Sequence, residues 1–288
     1  MATSLHICGV TVNHNTSHFV ELMLRTLFLT NDLTGMRFEV TVLDNQSDDA
    51  HADELRAYLV DQHVAFLQTG FDTSIAGEKH GVAFANFIGD HPECTHYLFL
   101  DADMWFIEPD TIPTMVAELS HAPSTTFANQ ARILGYYAGR VIEGRDGIAG
   151  TGAFDGQPPS SVTLWDRVYT QVVMPRCSPV CSLVANTPLF RRVVETVGLT
   201  PAYRFGVGEA FFYDTFSLMT QVMATHGQHF IVSSKTINHF TQATYMPEHR
   251  APKDRDCWLM LDDLRAGRGM SRENFYESDW VKQQRQQH

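Results

Sequence analysis

The ten residues from Tyr97 to Phe106 read YLFLDADMWF, and they carry the strongest structural signal in the sequence. The uninterrupted apolar run at 97–100 predicts a buried central strand. Asp101 and Asp103 follow where that strand ends. Two carboxylates this close repel each other unless a cation neutralises them, and a divalent ion such as Mn²⁺ or Mg²⁺ prefers such oxygen ligands. A solvent-exposed turn that caps a helix is the alternative, but the apolar residues on both sides favour the metal site.

The sequence before this motif alternates short apolar runs with amphipathic stretches. It predicts strands at 5–12, 38–43 and 65–68, and helices at 18–29, 52–62 and 81–88. This alternation is typical of βαβ units, so we expect an α/β domain with a Rossmann-like, mostly parallel sheet flanked by helices. In such sheets ligands bind at the carboxyl ends of the strands. Residues 12–15, Asp44 and 101–103 should therefore lie around one crevice.

Composition narrows the class of protein. The chain has 288 residues, 44% of them hydrophobic, which is ordinary for a globular enzyme. A formal charge of −12 with scattered basic residues disfavours nucleic acid as a binding partner. No apolar run is long enough to span a membrane and the first residues lack a signal-peptide pattern, so a cytoplasmic location is predicted. Five widely spaced cysteines favour reduced thiols over a disulfide framework.

The second half of the sequence is less regular. Residues 144–161 contain five glycines and two prolines and predict a long loop, either a lid or an ordinary surface loop. Helix-bearing segments are expected at 183–197 and 211–226, and returning strands at 229–232 and 234–238. From residue 251 onward the sequence is charged and helix-prone.

Several motifs, taken in their order along the chain, resemble those of GT-A glycosyltransferases, and within them the family-2-like group. ICGVTVNHN at 7–15 is similar to the opening strand and loop, and TVLDNQSDD at 41–49 to the strand that ends in a nucleoside-contacting acidic cluster. GEKHG at 77–81 resembles the segment before the DXD strand. The resemblance implies the nucleotide-diphospho-sugar transferase fold in one catalytic domain over 1–250. Residues 1–106 would form its nucleotide-binding half, 107–250 its acceptor-binding half, and 251–288 a helical extension.

The resemblance also implies roles for individual residues. Asp44 would hydrogen-bond the base or ribose, although a loop aspartate that only caps the next helix is the alternative. Asp101 would face the ribose or donor sugar and Asp103 would bind Mn²⁺ or Mg²⁺. His239 would be a further metal ligand, unless it is a histidine packed against neighbouring aromatic residues. The remaining residues of the expected nucleotide-sugar site are Thr11, Val12, Asn13, Asn15, His80 and Ala102.

The catalytic base is the least defined of these residues. An inverting transferase needs a base that deprotonates the acceptor hydroxyl, and in the family a carboxylate just ahead of a helix does this. Asp214 fits the spacing to the following helix slightly better, whereas Gly208-Glu209 resembles the opening of the family motif. Asp214 is therefore favoured narrowly over Glu209, and a helix-start acid without catalytic role is the alternative for either.

Together these features predict a metal-dependent transferase that moves a sugar from a nucleotide-diphosphate donor to a hydroxyl, with inversion. The acceptor stays open among glycans, proteins, lipid-linked glycans and modified nucleic acids. A retaining transferase is the alternative within the class. A nucleotidyltransferase would need a glycine-rich, basic loop after the first strand, which Val12-Asn13-His14-Asn15 does not provide. A non-catalytic nucleotide-sugar-binding module is the third possibility.

Overall fold

The structure is a computed structural model. It describes residues 5–71, 76–137, 140–143, 161–164, 167–170, 176–199, 203–206, 209–212, 215–240, 247–271 and 275.

The described residues form thirteen strands and seven helices. In chain order they are β1 (His6–Asn13), α1 (Ser17–Thr30), β2 (Arg37–Asp44), α2 (Ala52–Asp61), β3 (Ala65–Gln68), α3 (Ala76–Asp90), β4 (His96–Leu100), β5 (Met104–Phe106), α4 (Thr111–His121), β6 (Thr126–Tyr137), β7 (Arg140–Glu143), β8 (Ser161–Leu164), β9 (Arg167–Thr170), β10 (Cys181–Ala185), α5 (Pro188–Thr196), β11 (Tyr203–Gly206), β12 (Glu209–Phe212), α6 (Ser217–Thr225), β13 (His229–His239) and α7 (Pro247–Arg265).

A nine-stranded sheet forms the centre of the fold. Its order is β3-β2-β1-β4-β10-β6-β13-β5, with β7 paired to β6. The first four strands are parallel, as the sequence predicts, because the helices α1, α2 and α3 return the chain between them. β10 runs antiparallel to both β4 and β6, and β13 runs parallel to β6. The carboxyl ends of β1 to β4, β6 and β13 consequently share one edge of a sheet that is mixed as a whole.

The sheet curls, and this curl brings distant parts of the chain together at that edge. Only three residues join β4 to β5, although β10, β6 and β13 lie between them in the strand order. Leu100 and Met104, the facing ends of these strands, are four positions apart in the chain and therefore lie at most about 14 Å apart. The last strand must therefore bend back towards β4, and it carries its partner β13 with it.

Alternating side chains of the strands fill two core layers, one on each face of the sheet. In β4, Tyr97 and Phe99 pack on one face with α3, α5 and α6. Leu98 and Leu100 pack on the other with α1, α2 and α4. All four side chains are fully buried, which explains the uninterrupted apolar run at 97–100.

Helix α7 adds a third cluster on the outer side of α1. Cys257, Met260 and Leu261 of α7 pack against Phe19 and Leu22 of α1. The indole of Trp105 lies in the same cluster, and its Nε1 donates a 2.7 Å hydrogen bond to the carbonyl of Phe275. These contacts hold the last described helix next to the edge where the strands end.

The predicted elements of the first half agree with the structure to within a few residues, with α3 beginning earlier, at Ala76. Two segments of the second half contain the expected helix, but each begins with strand residues: 183–185 belong to β10, and 211–212 to β12. The two expected strands at 229–238 form the single strand β13, whose irregular register between Val232 and Thr236 explains the apparent break. Most of the loop expected at 144–161 lies outside the described residues.

The prediction of reduced cysteines was wrong for one pair, because Cys8 and Cys94 form a disulfide. Cys8 lies in β1 and Cys94 precedes β4, and the direct pairing of these strands brings together two residues 86 positions apart. The described cysteines at 177, 181 and 257 are free and buried. Disulfides persist mainly in oxidising compartments, so the bond does not favour the cytoplasmic location. Within the described ranges, every helix is too short or too polar to cross a membrane.

Candidate active site

Asp101, Ala102 and Asp103 occupy the short connection between β4 and β5, at the shared carboxyl edge. The amide of Asp101 donates a 2.9 Å hydrogen bond to the carbonyl of Val180, which ties this connection to the residue just before β10. The side chains of Asp101 and Asp103 are 21% and 13% exposed. The two acids are thus partly enclosed yet reachable, as a ligand site requires.

His239 joins the two acids because it ends β13, the strand that pairs with β5. It lies opposite Met104 in the register, and the amide of Phe240 donates to the carbonyl of Asp103 over 2.8 Å. His239 Nε2 is 3.0 Å from Asp103 Oδ1 and 3.4 Å from Asp101 Oδ2. We call these three residues the carboxylate–histidine cluster.

In the carboxylate–histidine cluster, the carboxylates and the imidazole stabilise one another's charged forms. Burial would raise the pKa of Asp103, but the charge and hydrogen bond of His239 outweigh it and lower that pKa to about 2. Burial would likewise lower the pKa of His239, yet the two carboxylates raise it to about 10. Without a metal the imidazole is therefore a protonated cation between two carboxylates.

The same three residues fit a divalent metal. One ligand atom from each of them lies within 4.8 Å of the others. Two carboxylate oxygens and an imidazole nitrogen form a donor set that Mn²⁺ accepts readily, whereas Mg²⁺ prefers oxygen ligands alone. A metal would replace the imidazolium proton, because a histidine must be neutral to coordinate it.

His80, on α3, lies beside the cluster. Its Nε2 is 3.6 Å from Asp101 Oδ1, and its Nδ1 is 3.4 Å from the hydroxyl of Thr215. The ring packs against Phe84, with 4.4 Å between ring centroids. His80, one of the residues expected at the nucleotide-sugar site, thus lies next to Asp101 of the cluster.

Asn13 and Asp44 join the ends of β1 and β2. Asn13 Nδ2 donates to Asp44 Oδ1 over 2.9 Å and to Ser17 Oγ over 3.0 Å. Asp44 Oδ2 accepts further hydrogen bonds from the amide of Ser47 and from Gln68 Nε2, at 3.2 and 2.9 Å. Both side chains are about 1% exposed. They fix the backbone of both loops, and Asp44 forms a local turn with Ser47 but does not cap α2, which begins only at Ala52.

The other residues expected at the nucleotide site differ in exposure. Thr11 and Val12 are enclosed within β1, at 0% and 8% exposure. Asn15, in the loop between β1 and α1, and Ala102, in the connection between β4 and β5, are both half-buried. Asn15 has a φ of 53°, and its side-chain oxygen accepts from the amide of Asp48 over 2.9 Å. Asn15 therefore shapes the β1–α1 loop, because asparagine tolerates this left-handed conformation better than most residues.

A cavity of about 170 Å³ lies between the last residues of β2 and β3 and the second half of α3, and Asp44 is linked to its wall through the hydrogen bond from Gln68. Leu43, Gln68, Thr69 and Phe71 line one side of it. Asn86 and Phe87 of α3 line the other. Its walls combine an aromatic ring and aliphatic carbons with amide, hydroxyl, carboxylate and imidazole groups, a mixture of apolar and polar lining that is typical of small-molecule sites.

Helix α7 contributes two basic residues that the sequence analysis did not single out. Lys253 is only 3% exposed, and the charges of Asp103 and Arg250 act on it. Burial lowers the pKa of Lys253 to about 8, while Asp103 opposes this shift. Arg250 donates a 2.9 Å hydrogen bond to the carbonyl of Asn15. Lys253 lies four residues before the buried Cys257, and residues four apart share one face of a helix. This spacing is the sequence signal that could have indicated its burial.

The two candidates for the catalytic base remain predictions. Glu209 begins β12, which pairs with β11 in a hairpin, so it does not immediately precede a helix. Asp214 lies outside the described residues, ahead of α6.

Three solved structures have a backbone similar to that of this chain. S. aureus TarS 1–349 in complex with UDP-GlcNAc is 14% identical, with a TM-score of 0.52 over 91% of this chain and 66% of that one. A mannosyltransferase from Pyrobaculum calidifontis, in complex with GDP-Man and Mn²⁺, is 11% identical, with a TM-score of 0.50 over 98% and 69%. GalNAc-T7 with UDP, GalNAc and Mn²⁺ is 14% identical, with a TM-score of 0.51 over 100% and 55%.

The sequence matches no protein-family model and no curated protein. The likeness therefore lies in the course of the backbone, and the chain spans from 55% to 69% of the length of these three structures. The strand order, the connection that carries the two acids and the structural likeness agree with one another. The chain has the α/β GT-A fold of these glycosyltransferases.

Proposed function

We propose that this protein is a metal-dependent glycosyltransferase that moves a sugar from a nucleotide-diphosphate donor to an acceptor hydroxyl. The observation that carries the proposal is the carboxylate–histidine cluster, which lies at the carboxyl edge of a GT-A sheet. Chain segments more than 130 residues apart build it. Solved structures of the same fold contain UDP-GlcNAc, or GDP-Man together with Mn²⁺, which supports this donor class and this ion.

In this proposal Asp103 and His239 hold the metal, and Asp101 either completes the ligand set or faces the ribose or donor sugar. The preferred ion is Mn²⁺ because one ligand is a nitrogen. When bound, the ion supplies positive charge to the diphosphate that leaves as the glycosidic bond breaks. His80 lies beside Asp101 and offers a hydrogen-bond donor to the phosphates or the sugar.

The cavity beside Asp44 is the proposed place of the nucleobase. Phe71 offers a ring and Gln68 an amide on its wall. Asp44 and Asn13 act mainly by holding the two loops, because their polar atoms already have protein partners. Asn15 and Ala102 line the path to the phosphates. Thr11 and Val12 support it from within β1.

The acceptor step needs a carboxylate base, and Asp214 is our first choice, with Glu209 the second. Direct displacement would invert the anomeric configuration. NMR of the first-formed product distinguishes an inverting from a retaining enzyme.

Residues 1–106 are proposed as the nucleotide-binding half, 107–250 as the acceptor-binding half and 251–288 as a helical extension. The acceptor is a glycan, a protein, a lipid-linked glycan or a modified nucleic acid.

A screen of radiolabelled nucleotide sugars tests the proposal. Purified protein is incubated with UDP- and GDP-sugars in Mn²⁺ or in excess chelator, and sugar release or transfer is measured. We expect turnover of at least one donor in Mn²⁺ alone, and its loss in Asp103→Asn. Asp61→Asn is the matched control, because Asp61 is exposed at the end of α2. Equal turnover in chelator would contradict the metal's role. A parallel incubation with nucleoside triphosphates and a sugar phosphate tests the alternative, because release of pyrophosphate there would indicate a nucleotidyltransferase.

A further inference from the structure

A second group of metal-ligating side chains lies at the amino edge of the sheet, opposite the proposed active site. It consists of His6, Cys8 and Cys94, which we call the cysteine–histidine cluster. His6 and Cys8 are two residues apart in β1, so their side chains share one face of the sheet. Cys94 comes just before β4, the strand that pairs with β1. All three residues are 2 to 3% exposed, so the cluster is enclosed on all sides.

The spacing of the cluster matches that of a tetrahedral zinc site. The Cys8 sulfur is 3.6 Å from His6 Nε2, and one ligand atom from each of the three residues lies within 4.8 Å of the others. Zinc bonds to sulfur at about 2.3 Å and to nitrogen at about 2.1 Å, so tetrahedral angles place these two atoms about 3.6 Å apart. Two zinc-bound sulfurs would lie about 3.8 Å apart. Cysteines whose Cα atoms are 6.0 Å apart can reach that separation by side-chain rotation.

The backbone holds the two cysteines next to each other without help from the disulfide. The amide of His6 donates a 2.8 Å hydrogen bond to Thr95 Oγ1, and the amide of Thr95 donates to the carbonyl of His6 over 2.9 Å. Asn186 Nδ2 donates to the carbonyl of Cys94 over 2.6 Å. A chain that folds with both thiols reduced therefore keeps them beside His6.

The surroundings supply a fourth ligand and favour zinc over other ions. Glu39 Oε1 is 3.2 Å from His6 Nε2, and Glu93 Oε1 is 4.0 Å from the Cys94 sulfur. Both carboxylates reach the surface, and either can complete a four-coordinate site. Thiolate and imidazole ligands select zinc, whereas Mn²⁺ and Mg²⁺ prefer oxygen. The cluster therefore differs in its metal preference from the carboxylate–histidine cluster.

We propose that the cysteine–histidine cluster binds Zn²⁺ when the chain folds with Cys8 and Cys94 reduced, so that the disulfide and the metal are alternative states of one pair of cysteines. On binding, the two thiols release their protons and coordinate as thiolates, and His6 Nε2 donates its lone pair. The oxidised pair has no thiolate and binds no zinc. In a reducing compartment the metal would thus take the place of the bond as the link between β1 and the residue before β4.

Cobalt absorption spectroscopy tests the proposal, because Co²⁺ occupies zinc sites and absorbs strongly in the near ultraviolet when thiolates coordinate it. The full chain is refolded without oxygen in a phosphine reductant and titrated with Co²⁺, and then with Zn²⁺. We expect one thiolate-bound Co²⁺ per chain, which Zn²⁺ displaces. Cys8→Ser should abolish the thiolate band. His6→Phe should weaken binding by more than about tenfold, since even the loss of a group that only orients a ligand costs that much.

Three controls separate this site from the rest of the chain. The oxidised wild type should show no thiolate band, although its fold is intact. Cys257→Ser removes another buried thiol and should leave the band unchanged. Asp103→Asn should leave it unchanged as well, because the carboxylate–histidine cluster contains no sulfur ligand.

Three results would overturn the inference. The first is a reduced wild type that gives no thiolate band. The second is a band that persists in Cys8→Ser or disappears in Cys257→Ser. The third is a reduced chain that stays unfolded, by circular dichroism, both with and without Zn²⁺.

Discussion

Glu21 is the most heavily paired buried carboxylate of the described chain, and its replacement gives a prediction with a definite dependence on pH. Its Oε1 accepts hydrogen bonds from Arg25 at 2.7 Å and from Arg265 at 3.0 Å. Its Oε2 accepts from Arg265 at 2.7 Å and from His51 at 2.5 Å. The residue is 1% exposed, and it links α1 to α2 and α7. Glu21→Gln keeps the shape and removes the charge.

The magnitude follows from the shift in the pKa of Glu21. Burial would raise that pKa, but the hydrogen bonds from His51, Arg265 and Arg25 lower it from 4.5 to about 2. A group whose pKa is lower in the folded state stabilises the fold fully above its unfolded pKa and loses this effect as the pH falls through the folded pKa. The charge therefore contributes about 3 kcal/mol at pH 7 and about 1 kcal/mol at pH 3.

Urea unfolding at pH 7 and at pH 3 measures this contribution as the difference in unfolding free energy between the wild type and Glu21→Gln. Glu54→Gln is the control, since Glu54 meets the same His51 and Arg265 but its side chain is 62% exposed. We expect a change below about 1 kcal/mol there, as is usual for surface ion pairs. A difference in unfolding free energy between the wild type and Glu21→Gln that is equal at both pH values, or absent at pH 7, would refute the reasoning.

Two further predictions concern stability. Reduction of the Cys8–Cys94 bond, which closes a loop of 86 residues, should lower the unfolding free energy by about 4 to 5 kcal/mol. Thiol titration of the denatured chain should find three reactive thiols before reduction and five after it, and five from the start would contradict the bond. Asn31→Ala should cost about 1 to 3 kcal/mol in urea unfolding, because Asn31 caps α1 at Leu27 and accepts from the amide of Ile112. A loss below about 0.5 kcal/mol would mean that water replaces both bonds.

The first half of the fold was predictable because its signals are local. The buried strand at 97–100, the alternating elements before it and the acids at its end follow directly from patterns of apolar and polar residues. These patterns also led to the edge of the sheet where Asp101, Asp103 and His239 meet. The choice of His239 as a metal ligand came from the resemblance to GT-A glycosyltransferases, because nothing near His239 in the sequence shows that β13 pairs with β5.

The second half was less predictable because its strands do not follow the usual patterns. β6 carries Asn129 and Gln130 at full burial, so its apolar pattern is interrupted. Asn129 Nδ2 donates to the carbonyl of Met115 and Gln130 Oε1 accepts from the amide of Ser178, and the sequence cannot show these pairings with other elements. The disulfide and Lys253 share this limit. The bond joins residues 86 positions apart, and the burial of Lys253 depends on the packing of α7, so both exist only after folding.

Binding of Mn²⁺ tests the central claim most directly. Electron paramagnetic resonance counts the free Mn²⁺ while protein and a nucleotide sugar that the wild type turns over are added. The account predicts one bound Mn²⁺ per chain for the wild type and for Asp61→Asn. It also predicts at least tenfold weaker binding for Asp103→Asn and for His239→Ala. Unchanged Mn²⁺ affinity in both of these variants would contradict the assignment of the carboxylate–histidine cluster as the metal site.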